Sequence, residues 1–268
     1  MPTLTSITIY PLKSCAGLPL TQATVEPLGI QDDRRWMAVR PDGRFLTGRE
    51  LPALLLIQAR PHPLGLHLSA PRMPPLEVPL PPADTPRLEV TVWSTPCSAA
   101  RAGAAADRWL SEYLGQPALL VHVDERMNRP VSPKYATPED RVGFADGFPL
   151  MLISQASLED LNQRLSRPLP MARFRPNLVV DGCGAFAEDG WKRLRIGEVE
   201  LAVVKPCIRC VFTTLDPETA RADPEQEPLR TLATYRRMEG KGAIHFGQNA
   251  LVRRPGIIRL GDAVELLE

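Results

Sequence analysis

The sequence predicts a mainly β protein with a few helices, an α+β fold whose sheets are barrel-like. Short runs of alternating apolar residues, separated by turn-forming residues, recur along the chain and far outnumber the helical patterns. No regular alternation of strands and helices is visible, so a doubly wound parallel sheet is not indicated. The 268 residues can bury a sizeable core, and we expect two closely packed domains, residues 1–95 and 96–268.

Residues 3–93 are predicted to form an antiparallel β unit. Their apolar residues alternate in runs such as TSITIYPL and RLEVTVW, and the PDG sequence at Pro41–Gly43 is typical of a tight turn. The proline-rich stretch Pro74–Pro86 is predicted to be a long loop that contains an edge strand, because sheet edges tolerate proline.

Three helices are predicted in the rest of the chain. The first, near Ala105–Leu114, places its apolar residues on one face and is followed by Gly115, a favourable stop. The second, near Leu158–Leu165, is preceded by Ser154 as a possible cap. The third, near Pro228–Arg237, begins with a proline, which the first turn of a helix tolerates.

The segments between these helices are predicted to be loops and strand pairs. Asp124–Phe148 is polar and rich in turn formers, so we expect a long irregular connection. The similar sequences at Arg195–Leu201 and Arg259–Leu266 each place a glycine turn between apolar residues, and we expect a β-hairpin at both.

The composition limits which partners and which location we expect for the protein. Thirty-two basic side chains nearly cancel 31 acidic ones, so neither nucleic acid nor an anionic membrane is an expected partner. No apolar stretch has the length of a membrane span, and the N-terminus lacks the pattern of a secretory signal. We therefore expect a cytoplasmic protein whose five cysteines are free thiols or ligands.

The pair Cys207 and Cys210 forms a CxxC motif with several possible roles. A structural zinc site would need two more ligands, and a thioredoxin-like dithiol would need the start of a helix, whereas this motif ends a strand-like run. One cysteine could instead give a single thiolate to a metal held mainly by an organic cofactor. Inert burial explains the motif equally well, and the spacing does not distinguish the two cysteines.

Basic and polar residues also gather where predicted strands begin or end. Lys13 and Ser14 follow the first strand, and their ammonium and hydroxyl groups could hold a phosphate, or the two could be ordinary surface residues. Arg34 or Arg35 could bind phosphate or carboxylate through a guanidinium fork, or could pair with a neighbouring aspartate. The concentration of basic and polar groups at strand ends suggests an anionic ligand.

Arg173, Arg175 and Asn177 alternate in the sequence ARFRPNLVV. If this segment is a strand, the three side chains share one face, which suggests a lined cavity. An exposed sheet face is the alternative.

The motifs YPLKSC, DRRW, RFRPNLVV with the following GC, and KPCIRCVFTTLDPET with FGQN downstream resemble those of the MOSC-domain molybdenum-cofactor proteins. Within them, the chain resembles in particular the mitochondrial amidoxime-reducing component and its bacterial YcbX-like relatives. The similarity covers nearly the whole chain. It implies a MOSC β-barrel packed with an N-terminal β-barrel domain and a bound molybdenum cofactor of the molybdopterin type. At family level it also implies pyridoxal phosphate binding.

The resemblance also implies roles for individual residues. The second cysteine of the CxRC element, Cys210, would be the molybdenum ligand and the catalytic residue. The residues implied to bind the cofactor are Lys13, Ser14, Arg34, Arg175, Asn177, Ile208 and Arg209. Weaker matches that could be structural are Arg35, Arg173, Asp146, Ser154, Asp216 and Gln248.

The implied activity is a reductase of N-hydroxylated compounds such as amidoximes and hydroxylamines. YcbX-like proteins can carry a [2Fe-2S] domain, but no cysteine follows Cys210 here. We therefore expect electrons from a separate ferredoxin-, flavodoxin- or cytochrome b5-like protein with its reductase. The mitochondrial members carry an anchoring N-terminus, whereas the first predicted strand here begins almost at Met1. The alternative function is cofactor binding, cofactor delivery or sulfur transfer without reductase turnover.

Overall fold

The computed structural model describes residues 1–240 and 242–267, which contain eighteen strands and three α-helices and so confirm a mainly β fold. The strands are β1 (Thr3–Ile9), β2 (Leu18–Leu20), β3 (Gln22–Glu26), β4 (Gly29–Ile30), β5 (Trp36–Val39), β6 (Gln58–His62), β7 (Gly65–Ser69), β8 (Leu76–Pro79), β9 (Arg87–Val92), β10 (Thr95–Arg101), β11 (Leu119–His122), β12 (Leu150–Ser154), β13 (Leu178–Asp181), β14 (Arg193–Ile196), β15 (Val199–Ile208), β16 (His245–Arg254), β17 (Gly256–Arg259) and β18 (Val264–Leu266). The helices are α1 (Ala104–Leu114), α2 (Gln155–Arg164) and α3 (Leu229–Tyr235), and short 3-10 turns span Pro52–Leu56, Met171–Phe174, Ala187–Asp189 and Val211–Thr214.

The largest sheet has the strand order β18-β14-β15-β16-β12-β13-β1-β2. Within it β12 and β13 pair in parallel through the crossover helix α2, and the other pairs are antiparallel. Two backbone hydrogen bonds, from Leu4 N to Asp262 O at 2.9 Å and from Val264 N to Pro2 O at 2.8 Å, join the start of β1 to the β18 end. These bonds close the sheet into a barrel filled by inward-facing aliphatic residues.

Three smaller sheets complete the fold. Their strand orders are β5-β11-β10-β9, β17-β3-β4 and β6-β7-β8. Helix α1 buries Trp109 and Leu110 in a core shared with Trp36 and Leu120. Because β1 and β3 pair with β13 and β17, strand pairing crosses residue 95. The domain boundary at residue 95 stays a prediction.

Most of the predicted elements are confirmed within a few residues. The three helices begin and end close to the expected positions, and α1 ends at Gly115 in the left-handed conformation. The proline-rich stretch contains the edge strand β8, and the polar segment 124–148 connects β11 to β12 without a helix or strand among its residues, all of which are described. Within the described residues, no helix has both the length and the hydropathy of a membrane-spanning helix.

One of the two predicted hairpins is wrong. Arg195–Leu201 is a hairpin, because β14 and β15 pair across Gly197. In Arg259–Leu266, by contrast, β17 pairs with β3 and β18 pairs with β14. The chain does turn at Gly261, but the strands before and after the turn join different sheets. The residue types near the turn do not determine this choice of sheet.

We predict that Ser154→Ala destabilises the protein by about 1–2 kcal/mol, the usual loss for a helix N-cap. The Ser154 hydroxyl accepts from Ser157 N at 3.1 Å, and the Glu188 carboxylate accepts from Ser154 N at 3.2 Å. Urea unfolding measures the effect. The control Glu159→Ala, on the exposed face of α2, should change stability by less than about 0.5 kcal/mol; equal losses in both variants would contradict the capping role.

Candidate active site

One cavity collects most of the side chains that the sequence singled out. It lies where the turn after β1, the loop after β5, the segment before β12, the turn before β13 and the end of β15 meet. Among the lining residues are Lys13, Ser14, Arg34, Arg175, Asn177, Arg209 and Cys210. Ile208 is not a lining residue, and its side chain is 41% exposed. A backbone contact of Ile208 with the cofactor stays a prediction.

The lining is strongly cationic. Among the described residues its carboxylates are limited to Asp146, whereas its cationic side chains are Lys13, Arg34, Arg49, Arg173, Arg175 and Arg209. Such an excess of positive charge at close quarters favours a ligand that carries several negative charges. The chain as a whole is nearly neutral, so the charge is local to the cavity.

Lys13 is held by one charged and one neutral partner. Its ammonium donates to Asp146 Oδ1 at 2.6 Å and to Phe144 O at 2.7 Å, and the side chain is buried. Burial lowers the pKa of Lys13, and Asp146 opposes that change. The Asp146 side chain is 70% exposed to the cavity, but the protein around it still raises the pKa of its carboxyl; the Lys13 ammonium outweighs this effect and lowers the pKa to about 2. Asp146 is therefore ionised at neutral pH.

Arg34 is fixed by its backbone and by Asn177. It has a positive φ of 49°, which is uncommon for a residue with a side chain. Its Nη1 donates to Asp33 Oδ2 at 2.6 Å and to Asn177 Oδ1 at 2.9 Å. Asn177 is buried and also donates to Thr8 O at 3.1 Å. The structure thus places Asn177 as a support for Arg34 at the cavity wall.

Arg173, Arg175 and Asn177 do not share a strand face as predicted. Met171–Phe174 is a 3-10 turn, Arg175 follows it in the left-handed conformation, and β13 begins only at Leu178. Proline at 176 lacks the N–H that a ladder needs, which is one reason why the strand starts late. The three side chains nevertheless all line the cavity, because the turn carries them to one wall.

Arg175 presents an uncompensated charge to the cavity. Within residues 1–240 and 242–267 its guanidinium has no ion pair with a carboxylate, and it lies 4.0 Å from the centre of the Tyr10 ring and 5.4 Å from that of Phe212. Burial lowers the pKa of Arg175 to about 10, and the charge of Arg34 acts in the same direction. The group stays cationic at neutral pH and is available to an anion.

The side chain of Arg209 is held by hydrogen bonds to uncharged carbonyl oxygens. Its Nε and Nη2 donate to Phe246 O at 2.8 and 2.5 Å, and its Nη1 donates to Phe174 O at 2.8 Å. Hydrogen bonds from a charged group to carbonyls contribute about 1.5–3 kcal/mol each, so this orientation is well defined. The guanidinium is fixed between the end of β15 and the turn before β13.

The two cysteines of the CxxC motif have different surroundings. Cys210 is exposed at the cavity and caps the 3-10 turn Val211–Thr214, where Thr213 N and Oγ1 both donate to Cys210 O at 3.0 Å. Cys207 is half-buried and packs against the cluster around Phe174 and Phe246. Burial raises the pKa of the Cys207 thiol, although Arg209 acts in the opposite direction. An exposed thiol and a packed thiol therefore share the cavity.

A structural zinc site is not supported by the described residues. Among them, no three His, Cys, Asp or Glu side chains cluster in a way that could hold a metal ion. Two of the other cysteines, Cys15 and Cys97, are buried in the cores around Trp36 and Val90. The positions of the two cysteines instead fit a single thiolate ligand, offered by Cys210 to the cationic cavity.

The loop Thr47–Arg49 is a part of the cavity that sequence reasoning missed. The Arg49 guanidinium lies 4.1 Å from the centre of the Trp93 ring, and its Nε donates to Thr47 Oγ1 at 3.2 Å. A Cβ at Gly48 would collide with the Phe212 ring, so only glycine lets this loop approach the Cys210 turn. The one sign of this loop in the sequence was a glycine between the polar residues Thr47 and Arg49.

The weaker candidates divide into two groups. Asp146 and Arg173 line the cavity, and Arg173 also donates to Thr214 O at 2.7 Å. Arg35, Ser154 and Gln248 have structural partners away from the lining: Arg35 pairs with Glu26 at 2.9 Å, Ser154 starts α2, and Gln248 donates to Asp189 at 2.6 Å. Asp216 lies outside the lining but pairs with the lining residue Arg173 at 3.6 Å.

The family models match both parts of the chain. The MOSC N-terminal beta barrel domain matches residues 1–117, and the MOSC domain matches residues 139–265. The barrel and its cationic cavity with a cysteine at the edge therefore belong to a MOSC-domain protein.

The relatives extend along nearly the whole chain. Mitochondrial amidoxime-reducing component 1 is 39% identical in Mus musculus and 36% identical in Homo sapiens, with 99% of this chain aligned to 82% and 83% of the relative. Mitochondrial amidoxime reducing component 2 of Rattus norvegicus is 36% identical, with 98% of this chain and 82% of the relative aligned. This chain belongs to the amidoxime-reducing component family of MOSC-domain proteins.

We predict that Asp146→Asn removes an acid-sensitive part of the stability. Because Lys13 lowers the pKa of Asp146 below its unfolded value, this carboxylate stabilises the fold above about pH 4, and the contribution is lost as the pH falls toward about 2. The difference in unfolding free energy between wild type and variant should be largest near neutral pH and shrink on acidification.

Urea titrations at about pH 7, 5 and 3 measure this difference. Asp84→Asn, at an exposed loop position, is the control and should stay within about 0.5 kcal/mol of wild type at neutral pH. A wild-type to Asp146→Asn difference that is constant across the three pH values would contradict the role of the Lys13 pair.

Proposed function

We propose that this protein is a molybdenum-cofactor-dependent reductase that removes oxygen from N-hydroxylated compounds such as amidoximes and hydroxylamines. The observation that carries the proposal is the exposed Cys210 thiol at a cavity that the described residues line with six cationic side chains and one carboxylate. Membership of the amidoxime-reducing component family supports it, since those relatives are named for that reduction.

The donor set of the cavity fits a molybdopterin-type cofactor. Its phosphate is a polyanion, and ammonium and guanidinium groups are the side chains that bind phosphate through charge-assisted hydrogen bonds. Lys13, Arg34 and Arg175 offer such groups on one wall, with Ser14 next to them. Of the three, Arg175 lacks a carboxylate partner within the described chain, so its charge is free for the phosphate.

The cavity also offers a metal ligand. A thiolate is a soft ligand that suits molybdenum held by a dithiolene, and Cys210 presents its thiol at the exposed edge. When bound, the cofactor would supply the two-electron reduction of the substrate N–O bond. The turn Val211–Thr214 fixes the Cys210 backbone, and Arg209, the preceding residue, adds a cationic side chain to the same lining.

The reduction needs two electrons and two protons to break the N–O bond and release water. Asp146 is ionised at neutral pH because of Lys13, so it is not the acid that delivers a proton. The exposed edge around Cys210 leaves a route for solvent protons and for the substrate. Electrons would come from a separate ferredoxin-, flavodoxin- or cytochrome b5-like protein. The cytoplasmic location and pyridoxal phosphate binding also remain predictions.

We predict that Cys210→Ala abolishes reduction of benzamidoxime by cofactor-loaded protein with an artificial electron donor. Loss of a metal ligand should lower turnover by more than about 100-fold, beyond the effect of outer-shell changes. The matched control is Cys183→Ala, a half-buried cysteine that lies against the barrel core away from the cavity. It should reduce benzamidoxime at the wild-type rate.

Two other outcomes would redirect the proposal. Unchanged turnover in Cys210→Ala would overturn the ligand assignment. Tight cofactor binding by the wild type without turnover of any N-hydroxylated compound would indicate a carrier, and a persulfide on Cys207 or Cys210 after treatment with a cysteine desulfurase would indicate sulfur transfer.

A further inference from the structure

Tyr10 lies against two of the cavity arginines without lining the cavity itself. It follows β1 directly and is only 3% exposed. The guanidinium carbon of Arg34 lies 4.3 Å from the centre of the Tyr10 ring, and that of Arg175 lies 4.0 Å from it. Both arginines line the cavity, so one buried ring supports two of its cations.

Hydrogen bonds fix Tyr10 to the segments that carry both arginines. Its N–H donates to Asp33 Oδ1 at 2.7 Å, and its carbonyl accepts from Arg34 N at 2.9 Å. Its hydroxyl donates to Pro176 O at 3.1 Å, next to Arg175. Burial raises the pKa of the Tyr10 hydroxyl to about 12, so it stays protonated and keeps donating. The ring therefore has one defined position.

The neighbouring chain leaves room for this ring. A Cβ at Gly17 would lie 2.8 Å from Tyr10 Cε1 and 2.9 Å from Thr8 Cγ2, closer than real contacts allow. Glycine at this position lets the chain pass directly over Tyr10.

The two arginines need such a support because their charges repel each other. Arg34 is paired with Asp33, whereas Arg175 has no carboxylate partner in the described chain. The face of an aromatic ring carries partial negative charge and attracts a guanidinium. Both arginines also have left-handed backbones, with φ of 49° and 53°, which their surroundings must maintain.

We propose that Tyr10 is a positioning residue that holds the Arg34 and Arg175 guanidiniums together, so that both bind the same phosphate group. This proposal rests on the proposed function in one respect: the phosphate group is taken to be the phosphate of the molybdenum cofactor. Because the cations are held in place before the ligand arrives, little of the binding free energy is spent on ordering them.

The first test compares Tyr10→Leu with Tyr10→Phe in phosphate binding. Tyr10→Phe keeps the ring and loses only the bond to Pro176 O, so its dissociation constant for inorganic phosphate should stay within about threefold of wild type, whereas Tyr10→Leu should weaken binding by about tenfold. Tyr235→Leu is the control, because Arg164 lies 4.3 Å from the Tyr235 ring outside the cavity. It should bind phosphate like the wild type.

Calorimetric titration at low ionic strength measures these constants, since salt screens the attraction. The molybdopterin content of each purified variant, from the fluorescence of the oxidised pterin, should follow the same order. Neither readout requires turnover, so a failed reductase assay and a failed Tyr10 role remain distinguishable. Wild-type phosphate affinity in folded Tyr10→Leu, or no phosphate binding by the wild type, would overturn the proposal.

A second substitution separates ring charge from ring shape. Pentafluorophenylalanine at position 10 has nearly the shape of the ring in Tyr10→Phe but lacks its negative face. It should bind inorganic phosphate at least about threefold more weakly than Tyr10→Phe, because the attraction to the guanidiniums is lost. Equal affinities of these two proteins would show that the ring does not hold the arginines, whether or not Tyr10→Leu folds.

Discussion

The repulsion among like charges in one cavity is the constraint on which this structure depends. Six cationic side chains line it with one carboxylate among the described residues, and the fold must hold them there. Carboxylates pair with three of the six, Lys13 with Asp146, Arg34 with Asp33 and Arg173 with Asp216, and neutral groups add further support. Carbonyl oxygens accept from Lys13, Arg173 and Arg209, and the Tyr10 ring lies against Arg34 and Arg175. The neutral partners of Arg175 and Arg209 orient these two cations without cancelling their charge, so the cavity stays attractive to an anion.

The strand topology explains why these groups meet. β1 pairs with β13, so the residues after β1 and those before β13 lie at the same end of the barrel. β15 ends near them and delivers Arg209 and Cys210. The loop after β5 adds Arg49 from a separate small sheet. No local segment could build this cavity alone, and the closed barrel fixes its parts relative to one another.

How far the sequence predicts this arrangement depends on the range of the interactions. The helices were predictable because apolar periodicity and caps such as Ser154 are local signals. The separate pairing of β17 and β18 was not, because it depends on strands far away in the sequence. Most of the candidate site residues were identified through motif resemblance, and their meeting in one cavity agrees with it. Arg49 was missed because an arginine after a glycine is common on protein surfaces.

The backbone at the cavity shows why alternation misled the prediction for Arg175. Ser14, Arg34 and Arg175 all have positive φ values, of 69°, 49° and 53°, although none is glycine. Sequence patterns assign such residues to ordinary strands or turns, because side chains disfavour this conformation. Its recurrence at three lining residues indicates that strain is maintained where it directs polar groups into the cavity. Backbone hydrogen bonds help to hold two of these residues in that conformation, because Arg34 N donates to Tyr10 O at 2.9 Å and Arg175 N donates to Ala172 O at 3.2 Å.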